Sequence, residues 1–189
     1  MARTRGQIAE AALTAFAARG YDATTLDEIA EAAEVHKRTL LRYFPTKAHL
    51  VLHGHYAAVA EFRAKLAARG DARVLDVWQA HVVSHARSIA RRGALANTRK
   101  LAATEPAVRL AYMEIQTEYQ QMLAAALAEE WGVDPGADVR SKVAAAALSA
   151  GNFAVGAMVL GREAYAELER AELEVIELVR RGLLADVRT

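Results

Sequence analysis

The segment from His36 to Lys47 combines four cationic side chains with no carboxylate. Its cations are Lys37, Arg38, Arg42 and Lys47, and Thr39 and Tyr43 add hydroxyl groups. Guanidinium and ammonium groups donate to guanine O6 and N7, and both hydroxyl and ammonium groups donate to phosphate oxygens. The preceding segment, Asp22 to Glu34, holds five acids and no base, so the positive charge is confined to a short patch. We interpret this patch as a candidate surface for reading nucleic acid.

A run of cations can also be merely a solvated helix face, and the elements around the run decide between these interpretations. Thr25 and Glu28 form a capping box, which starts a short helix. An apolar pattern over residues 35–44 marks a second short helix, which Pro45 ends. Two short helices joined by a few residues must cross steeply, which predicts a helix-turn-helix braced by a helix over residues 5–19. The cationic segment, residues 36–43, is then the reader helix.

The composition predicts an all-α fold. The chain has 189 residues, 53% hydrophobic and 25% charged, with only 6% aromatic residues and three prolines. Alanine is frequent, and it loses no rotamer freedom on entering a helix. We expect about nine helices, at residues 5–19, 26–34, 36–43, 46–68, 74–92, 95–103, 106–131, 137–162 and 163–184. They divide into an N-terminal helix-turn-helix domain, residues 1–48, and a C-terminal helical bundle, residues 49–189.

Several classes of protein are excluded or disfavoured by composition. The absence of cysteine excludes disulfides, zinc fingers and cysteine catalysis, and makes a reducing cytoplasm the expected compartment. No apolar segment of an export signal follows the charged first seven residues. Residues 143–161 carry no charge, yet most are Ala and Gly, with Ser149 and Asn152 among them. We expect this helix to be packed on all sides by protein, with no membrane partner.

The stretch from Gly20 to Lys47 resembles the DNA-binding signature of the tetracycline-repressor-like (TetR) family of transcriptional regulators, and the resemblance extends over about residues 5–52. It implies a homodimer that binds a palindromic DNA operator, usually as a repressor, and is released when a small molecule occupies the C-terminal domain. It also implies base contacts from His36, Lys37 and Arg38, and phosphate contacts from Thr25, Thr39, Tyr43 and Lys47. Leu41 and Arg42 complete the expected DNA-binding set.

The chain departs from the family pattern at two positions. Glu34 stands in the turn where the family usually has glycine, at a position that tends to need a positive φ. A non-glycine residue there should cost about 1 kcal/mol, and its carboxylate would lie close to DNA. Leu41 replaces a common aromatic residue and can offer only an apolar contact, such as one to a thymine methyl group.

The last two predicted helices are the expected dimer interface. Residues 144–161 are rich in small side chains, which lets helix backbones approach closely. The last helix adds an apolar surface made of Leu168, Leu173, Val175, Ile176, Leu178, Val179, Leu183 and Leu184. A four-helix bundle formed by two chains would bury both surfaces. The alternative is that these faces pack against each other inside one monomer.

Polar and aromatic residues at helical spacing mark a candidate effector pocket. The pocket candidates are Trp78, His81, His85, Tyr112, Gln116, Asn152 and Phe153, with Tyr119 on the same face as Tyr112 and Gln116. Each has a plainer interpretation as a core residue. His81 and His85, at i and i+4, could bind a metal, but no third ligand is evident, so we expect no metal or cofactor. A buried Asn152 must find a hydrogen-bond partner, since an unpaired amide costs about 1–3 kcal/mol.

Two other functions compete with a ligand-responsive regulator. A helical-bundle enzyme with a carboxylate-bridged metal would need Glu-x-x-His motifs, and none occurs. A phosphate-binding glycine loop and a nucleophile elbow are also missing, so we expect no enzymatic activity. A helical small-molecule carrier with a non-functional N-terminal motif is the other alternative, and the intact reader helix disfavours it. The effector, the operator, the target genes and the sign of regulation are left open by the sequence.

Overall fold

A computed structural model describes residues 2–92, 101, 104–161 and 165–182 of the chain. The described residues form nine α-helices and one 3₁₀ turn and include no β-strand. The helices are α1 (Ala2–Arg19), α2 (Leu26–Ala32), α3 (Lys37–Tyr43), α4 (Lys47–Val51), α5 (His53–Ala67), α6 (Val74–Arg92), α7 (Pro106–Trp131), α8 (Val139–Gly161) and α9 (Leu168–Gly182), with the 3₁₀ turn at Tyr165–Glu167. The predicted all-α fold is confirmed. The predicted helix over residues 95–103 falls almost wholly outside the described residues.

The predicted fourth helix is two helices rather than one, because the chain breaks its helical path at Leu52. Leu52 has φ −92° and ψ 11°, and its N–H still donates to the carbonyl of Ala48 at 2.9 Å. The ring Nδ1 of His53 lies 3.1 Å from the carbonyl of Leu50, which in a continuous helix would accept from the N–H of Gly54. Glycine also weakens a helix at that point, so the expectation of one unbroken helix over residues 46–68 was wrong.

The chain divides into two compact units. The first comprises Met1–Ala57 and Leu101–Tyr112, and the second comprises Ala58–Lys100 and Met113–Thr189. The predicted division into domains at residue 48 stays a prediction.

The core of the first unit is made by apolar residues that α1, α2 and α3 place at helical spacing. Ile8 and Ala12 from α1, Ile29 from α2 and Leu40 from α3 are each fully buried, and Phe44 closes the cluster. Full burial of such a side chain stabilises a fold by roughly 1.5–3 kcal/mol. Leu40 is the buried residue of α3, so a single apolar anchor holds the reader helix while most of its other side chains face solvent.

The turn between α2 and α3 has the backbone conformation that the sequence predicts. Glu34 has φ 53° and lies in the left-handed region. Its N–H donates to the carbonyl of Glu31 at 3.0 Å, and the N–H of Val35 donates to the carbonyl of Ala30 at 2.9 Å. This is a Schellman motif, in which the left-handed position is usually glycine. The chain ends α7 in the same way but uses Gly132, with φ 65°, so Glu34 carries a backbone penalty that Gly132 avoids.

Replacement of Glu34 by glycine should therefore raise the free energy of unfolding, by up to about 1 kcal/mol. The left-handed conformation costs a non-glycine residue about 1–2 kcal/mol, and glycine removes this cost. Glycine also increases the conformational entropy of the unfolded chain, which offsets part of the stabilisation. Urea unfolding measures the change. Glu34→Gln is the matched control, because it removes the charge and keeps the strain, so it should leave stability unchanged. Equal stabilisation by both variants would show that charge, not φ, is responsible.

In the second unit, α8 and α9 pack closely against each other. Gly151 on α8 faces Val175 on α9, and a Cβ built at Gly151 would lie 2.6 Å from Val175 Cγ1. The buried stripe of α9 consists of Leu168, Glu172, Ile176 and Val179. The apolar faces of α8 and α9 therefore meet within one chain, which is the alternative that the sequence left open for these residues. Leu178 of α9 does not share in this contact and is 66% exposed.

The uncharged helix α8 is not packed on all sides by the single chain. Over Val139–Val159 it is long and apolar enough to cross a membrane by length and composition alone, with a mean hydropathy of 1.4, and only 33% of that stretch is buried. Val143 and Met158 are each nearly half exposed. A single chain therefore does not bury every side of α8, and burial of the rest by a partner chain stays a prediction. The buried side faces α9, and small and apolar residues fill the other side.

Candidate nucleic-acid interface and ligand site

The reader helix α3 presents its predicted base-contacting residues to solvent. His36 is the N-cap residue, and its side chain makes no capping hydrogen bond. His36, Lys37 and Arg38 are exposed, and so are Leu41, at 37%, and Arg42. The helix thus has a buried anchor at Leu40 and a polar, cationic outer face. This is the arrangement that a helix needs in order to enter a major groove.

The cations of α3 make only weak contacts within the chain. Lys37 Nζ lies 2.7 Å from Asp27 Oδ2, with both side chains at least half exposed. Exposed ion pairs contribute little stability, so DNA phosphates can replace Asp27 at low cost. The Arg42 guanidinium lies 5.3 Å from the centre of the Tyr43 ring. Arg38 has no acidic partner within 4 Å among the described residues.

Thr25 caps α2 in the way that its capping box predicts. The N–H of Glu28 donates to Thr25 Oγ1 at 3.2 Å, and the N–H of Thr25 donates to Glu28 Oε2 at 2.7 Å. The hydrogen bond from the Thr25 backbone is the main reason that the pKa of Glu28 is lowered. Arg19 also contacts Glu28, at 2.6 Å, and joins α1 to α2. The predicted phosphate contact of Thr25 stays a prediction, and its capping role is shown.

Lys47 holds a turn of its own chain. Its Nζ donates to the carbonyls of Tyr21, Thr24 and Asp22 at 2.7, 3.0 and 3.4 Å, and lies 4.5 Å from the centre of the Tyr21 ring. An ammonium group has three donors, so these carbonyls use its full capacity. No sequence pattern indicates this role, because backbone carbonyls carry no sequence signature. A phosphate contact by Lys47 stays a prediction and would require at least one of these bonds to open.

Two of the pocket candidates, Trp78 and His81, lie in a packed aromatic cluster with Phe62 and Tyr119. The six distances between the ring centres of these four residues fall between 4.9 and 5.8 Å. Rings at this spacing are in mutual contact and leave no space for a ligand between them. The prediction did not include Phe62, although its spacing to Val59 and Leu66 marks an apolar face of α5. A ligand must therefore bind beside this cluster rather than within it.

His81 is a neutral imidazole with one nitrogen unpaired. Its Nε2 lies 3.0 Å from Tyr119 Oη, and its buried Nδ1 has no hydrogen-bond partner among the described residues. Burial, followed by the charge of His85, lowers the pKa of His81 to about 3. His85 stacks on His81 with the ring centres 6.2 Å apart, and burial lowers its pKa as well. Within the described ranges, no three His, Asp or Glu side chains converge to hold a metal ion.

The amide of Asn152 finds its partners in the tertiary structure. Trp78 Nε1–H donates to Asn152 Oδ1 at 3.2 Å, and Asn152 Nδ2 donates to the backbone carbonyl of Glu172 at 3.1 Å. The side chain thereby links α6, α8 and α9 in the interior of the second unit. A well-satisfied buried amide specifies the packing of these three helices.

The remaining pocket candidates are only partly brought together. Phe153 lies 6.3 Å from Tyr119, centre to centre, at the edge of the aromatic cluster. Gln116 is half-buried, and its backbone carbonyl accepts from Ser149 Oγ at 3.1 Å. Tyr112 belongs to the first unit, where its ring contacts His55 edge-on at 5.2 Å. The pocket residues thus stay a prediction as a set.

An all-helical chain with an exposed cationic helix-turn-helix ahead of an apolar helical unit has the architecture of a DNA-binding transcriptional regulator. Residues 8–53 match the family described as bacterial regulatory proteins, tetR family. The matched segment covers α2, α3 and α4, which carry the capping box, the turn and the reader helix. Residues 8–53, about a quarter of the chain, are thus similar to the DNA-binding segment of this family.

A curated relative matches about a third of the chain. The HTH-type transcriptional regulator TcmR of Streptomyces glaucescens is 45% identical over 67 residues, which are 35% of this chain. The match spans 30% of the length of TcmR. The likeness therefore leaves most of both chains unmatched.

Solved structures resemble the whole fold. The fatty acid degradation regulator FadR of Bacillus halodurans is 21% identical and superposes with a TM-score of 0.66 over 94% of this chain and 98% of that one. FadR of Thermus thermophilus, a TetR-family repressor solved with lauroyl-CoA, is 24% identical, with a TM-score of 0.65 over 95% of this chain and 94% of that one. At such identities, the likeness establishes the shared fold.

Proposed function

We propose that this protein binds a palindromic DNA operator as a homodimer, acts as a repressor in the cytoplasm, and is released from DNA by a small-molecule effector. The main support for the proposal is the outer face of α3. His36, Lys37 and Arg38 are exposed there, and Leu40 is the buried residue that packs the helix against the core. Arg38 suits guanine O6 and N7, and its side chain is not engaged by an acid in the described structure. Thr39, Tyr43 and Arg42 supply donors for phosphates around it.

A second copy of the chain accounts for the exposed side of α8. Val143, Met158 and, on α9, Leu178 are apolar residues with about half or more of their surface exposed. Small residues between them, such as Ala150 and Ala154, allow a second helix to approach closely. An isologous contact between two copies would bury this face and complete a four-helix bundle. An operator with two half-sites requires the two reader helices of such a dimer to lie about 34–36 Å apart, or a multiple of that distance.

The effector is proposed to bind in the second unit, beside the aromatic cluster of Phe62, Trp78, His81 and Tyr119. Apolar walls with a few polar groups are typical of ligand sites, and among the described residues His81 Nδ1 and Glu172 Oε2 are buried polar atoms with no hydrogen-bond partner. Helices α6, α8 and α9 meet at Asn152, so a ligand that separates them would change their mutual packing. Such a change favours one of two arrangements of the dimer, which is what release from DNA requires.

Arg38→Ala should remove sequence preference and cost about 1–3 kcal/mol on the selected operator, or about 5- to 150-fold in affinity. Duplexes selected from a random pool by the wild-type protein supply the operator, and fluorescence anisotropy then measures Kd on selected and scrambled duplexes at several salt concentrations. Wild type should bind the selected duplex with two chains per duplex. Arg73→Ala is the control, because it removes the same charge from an exposed site in the second unit.

The two variants separate reading from general electrostatics. If Arg38→Ala weakened the selected and the scrambled duplex equally, Arg38 would not be a base-reading residue. If wild type bound no duplex even at low salt, the proposal of an operator-binding regulator would fail.

A further inference from the structure

Glu172 occupies a position that the helical pattern of α9 assigns to an aliphatic residue. The buried stripe of this helix has Leu168 one turn before Glu172, Ile176 one turn after it, and then Val179. Glu172 is itself only 7% exposed. A carboxyl group in an apolar stripe costs free energy unless a partner binds it, so its presence calls for a function.

The carboxyl group of Glu172 lacks a partner on one side and has room beside it. Its Oε2 is buried and has no hydrogen-bond partner among the described residues. Gly156 on α8 faces it: a Cβ built there would lie 3.9 Å from Glu172 Oε1 and 4.0 Å from Leu168 Cδ1, both ordinary contacts. Glycine therefore leaves about the space of a methyl group against the carboxyl, in the seam between α8 and α9.

No described cation neutralises this carboxyl group. Helix α8 has no charged residue from Val143 to its end. On α9, Glu169 pairs with Arg87 of α6 through two hydrogen bonds of 2.8 Å, so this arginine is already engaged. His85 of α6 has Glu61 as its opposing charge, and Glu167 of the 3₁₀ turn is exposed. Among the residues that the structure describes, the surroundings of Glu172 therefore supply negative charge from Glu169 and no free cation.

We propose that Glu172 is the anchoring group for the effector and that the effector class is a hydrophobic organic amine, bound as its ammonium ion along the seam of α8 and α9. This inference rests on the proposed function, whose effector it specifies. The ammonium group donates to Oε1 and Oε2. Leu168 and Ile176 are fully buried in the free protein, so α8 and α9 must move apart for these two residues to contact the apolar part of the amine. Charge-assisted hydrogen bonds in a buried site are strong, which compensates the cost of burying the carboxyl group.

Proton release accompanies this binding. Burial, followed by the charge of Glu169, raises the pKa of Glu172 to about 8, so the free protein carries the proton near pH 7. When the ammonium ion binds, the proton leaves Glu172 for solvent, and a carboxylate–ammonium pair takes its place. A protein with Glu172 protonated before binding should release most of one proton per amine bound at pH 7. A neutral alcohol of the same size should release none.

Isothermal titration calorimetry of the full-length protein with octylammonium and benzylammonium tests the inference, with octanol as the neutral comparison. Titrations at one pH in two buffers of different ionisation enthalpy give the number of protons released. Glu172→Gln keeps the shape and removes the charge, and should weaken the binding of the best cation by at least about 30-fold while changing octanol binding little. Glu174→Gln, on the exposed side of α9, should bind the cation as wild type does.

The outcomes separate the inference from the proposed function. Failure of both ammonium ions to bind, equal binding to wild type and Glu172→Gln, or binding without proton release would each overturn the inference. The wild-type proton count decides the matter even if Glu172→Gln fails to fold. A cation that a second copy of the chain places against Glu172 would also overturn the inference. Experiments that mix variants and measure the oligomeric state detect such a cation. Operator binding is measured separately, so a protein that binds DNA but no amine keeps the proposed function and loses this inference.

Discussion

Replacement of Gly151 by alanine is expected to destabilise the second unit by about 1–3 kcal/mol, as overpacking of a well-filled contact does. The added Cβ would lie 2.6 Å from Val175 Cγ1, closer than any normal contact. The valine cannot simply rotate away, because β-branched side chains in helices strongly prefer one rotamer. Helices α8 and α9 must therefore move apart. Chemical unfolding followed by circular dichroism measures the loss.

Two further variants identify the cause of that loss. Gly156→Ala lies one and a half turns along α8, and its added Cβ would meet the nearest atoms at 3.9 and 4.0 Å. This variant should leave the free energy of unfolding unchanged or raise it by up to about 1 kcal/mol, because alanine has the higher helix propensity. Val175→Ala in the Gly151→Ala background removes the clashing methyl group and should recover part of the loss. If Gly156→Ala were as damaging as Gly151→Ala, the close approach of the helices at Val175 would not be the reason.

Replacement of Glu172 by glutamine should stabilise the protein increasingly as the pH rises from about 5 to 8. In the unfolded chain this carboxyl group ionises at its ordinary pKa of 4.5, whereas in the folded protein the pKa of Glu172 is raised to about 8. Between these values the native state holds one proton more than the unfolded state, so the wild-type free energy of unfolding falls with pH by up to about 1.4 kcal/mol per unit. Glutamine cannot ionise and lacks this slope.

Urea unfolding of wild type and Glu172→Gln at pH 5, 6, 7 and 8 measures the effect as a difference. His81 contributes a slope of the opposite sign, since its pKa is lowered to about 3 and its neutral form is lost only as the pH falls. The difference between the two proteins removes that contribution because both contain His81. A difference that stayed constant from pH 5 to pH 8 would mean that Glu172 is not protonated in the native state.

Both sets of variants act on the seam between α8 and α9. Gly151 determines how closely the two helices approach, and Glu172 adds a titratable group in the same contact. Asn152 connects this contact to Trp78 and so to the aromatic cluster. A change of packing at the seam therefore reaches both the proposed effector site and the proposed dimer face of α8.

Features that depend on residues close together in the chain could be read from the sequence. The capping box of Thr25 and Glu28 spans three residues, and the structure shows both of its hydrogen bonds. The left-handed conformation of Glu34 was expected from the resemblance to the family pattern, which has glycine in this turn, and the structure shows it. The exposed cations of α3 follow from the helical repeat once Leu40 is assigned to the core. In each case the backbone geometry of one or two turns specifies the neighbours.

Contacts between distant parts of the chain could not be read in this way. Lys47 donates to carbonyls 23 to 26 residues away, and Trp78 donates to Asn152, 74 residues further along the chain. The burial of Glu172 without a partner depends on which helix faces it, as does the role of Phe62 in the aromatic cluster. The sequence by itself determined the helices, the turn and the charged reader face, because neighbours along a helix interact at known spacings. The tertiary structure alone decided the long-range partners, because packing of side chains against other helices selects among many contacts that periodicity leaves equally available.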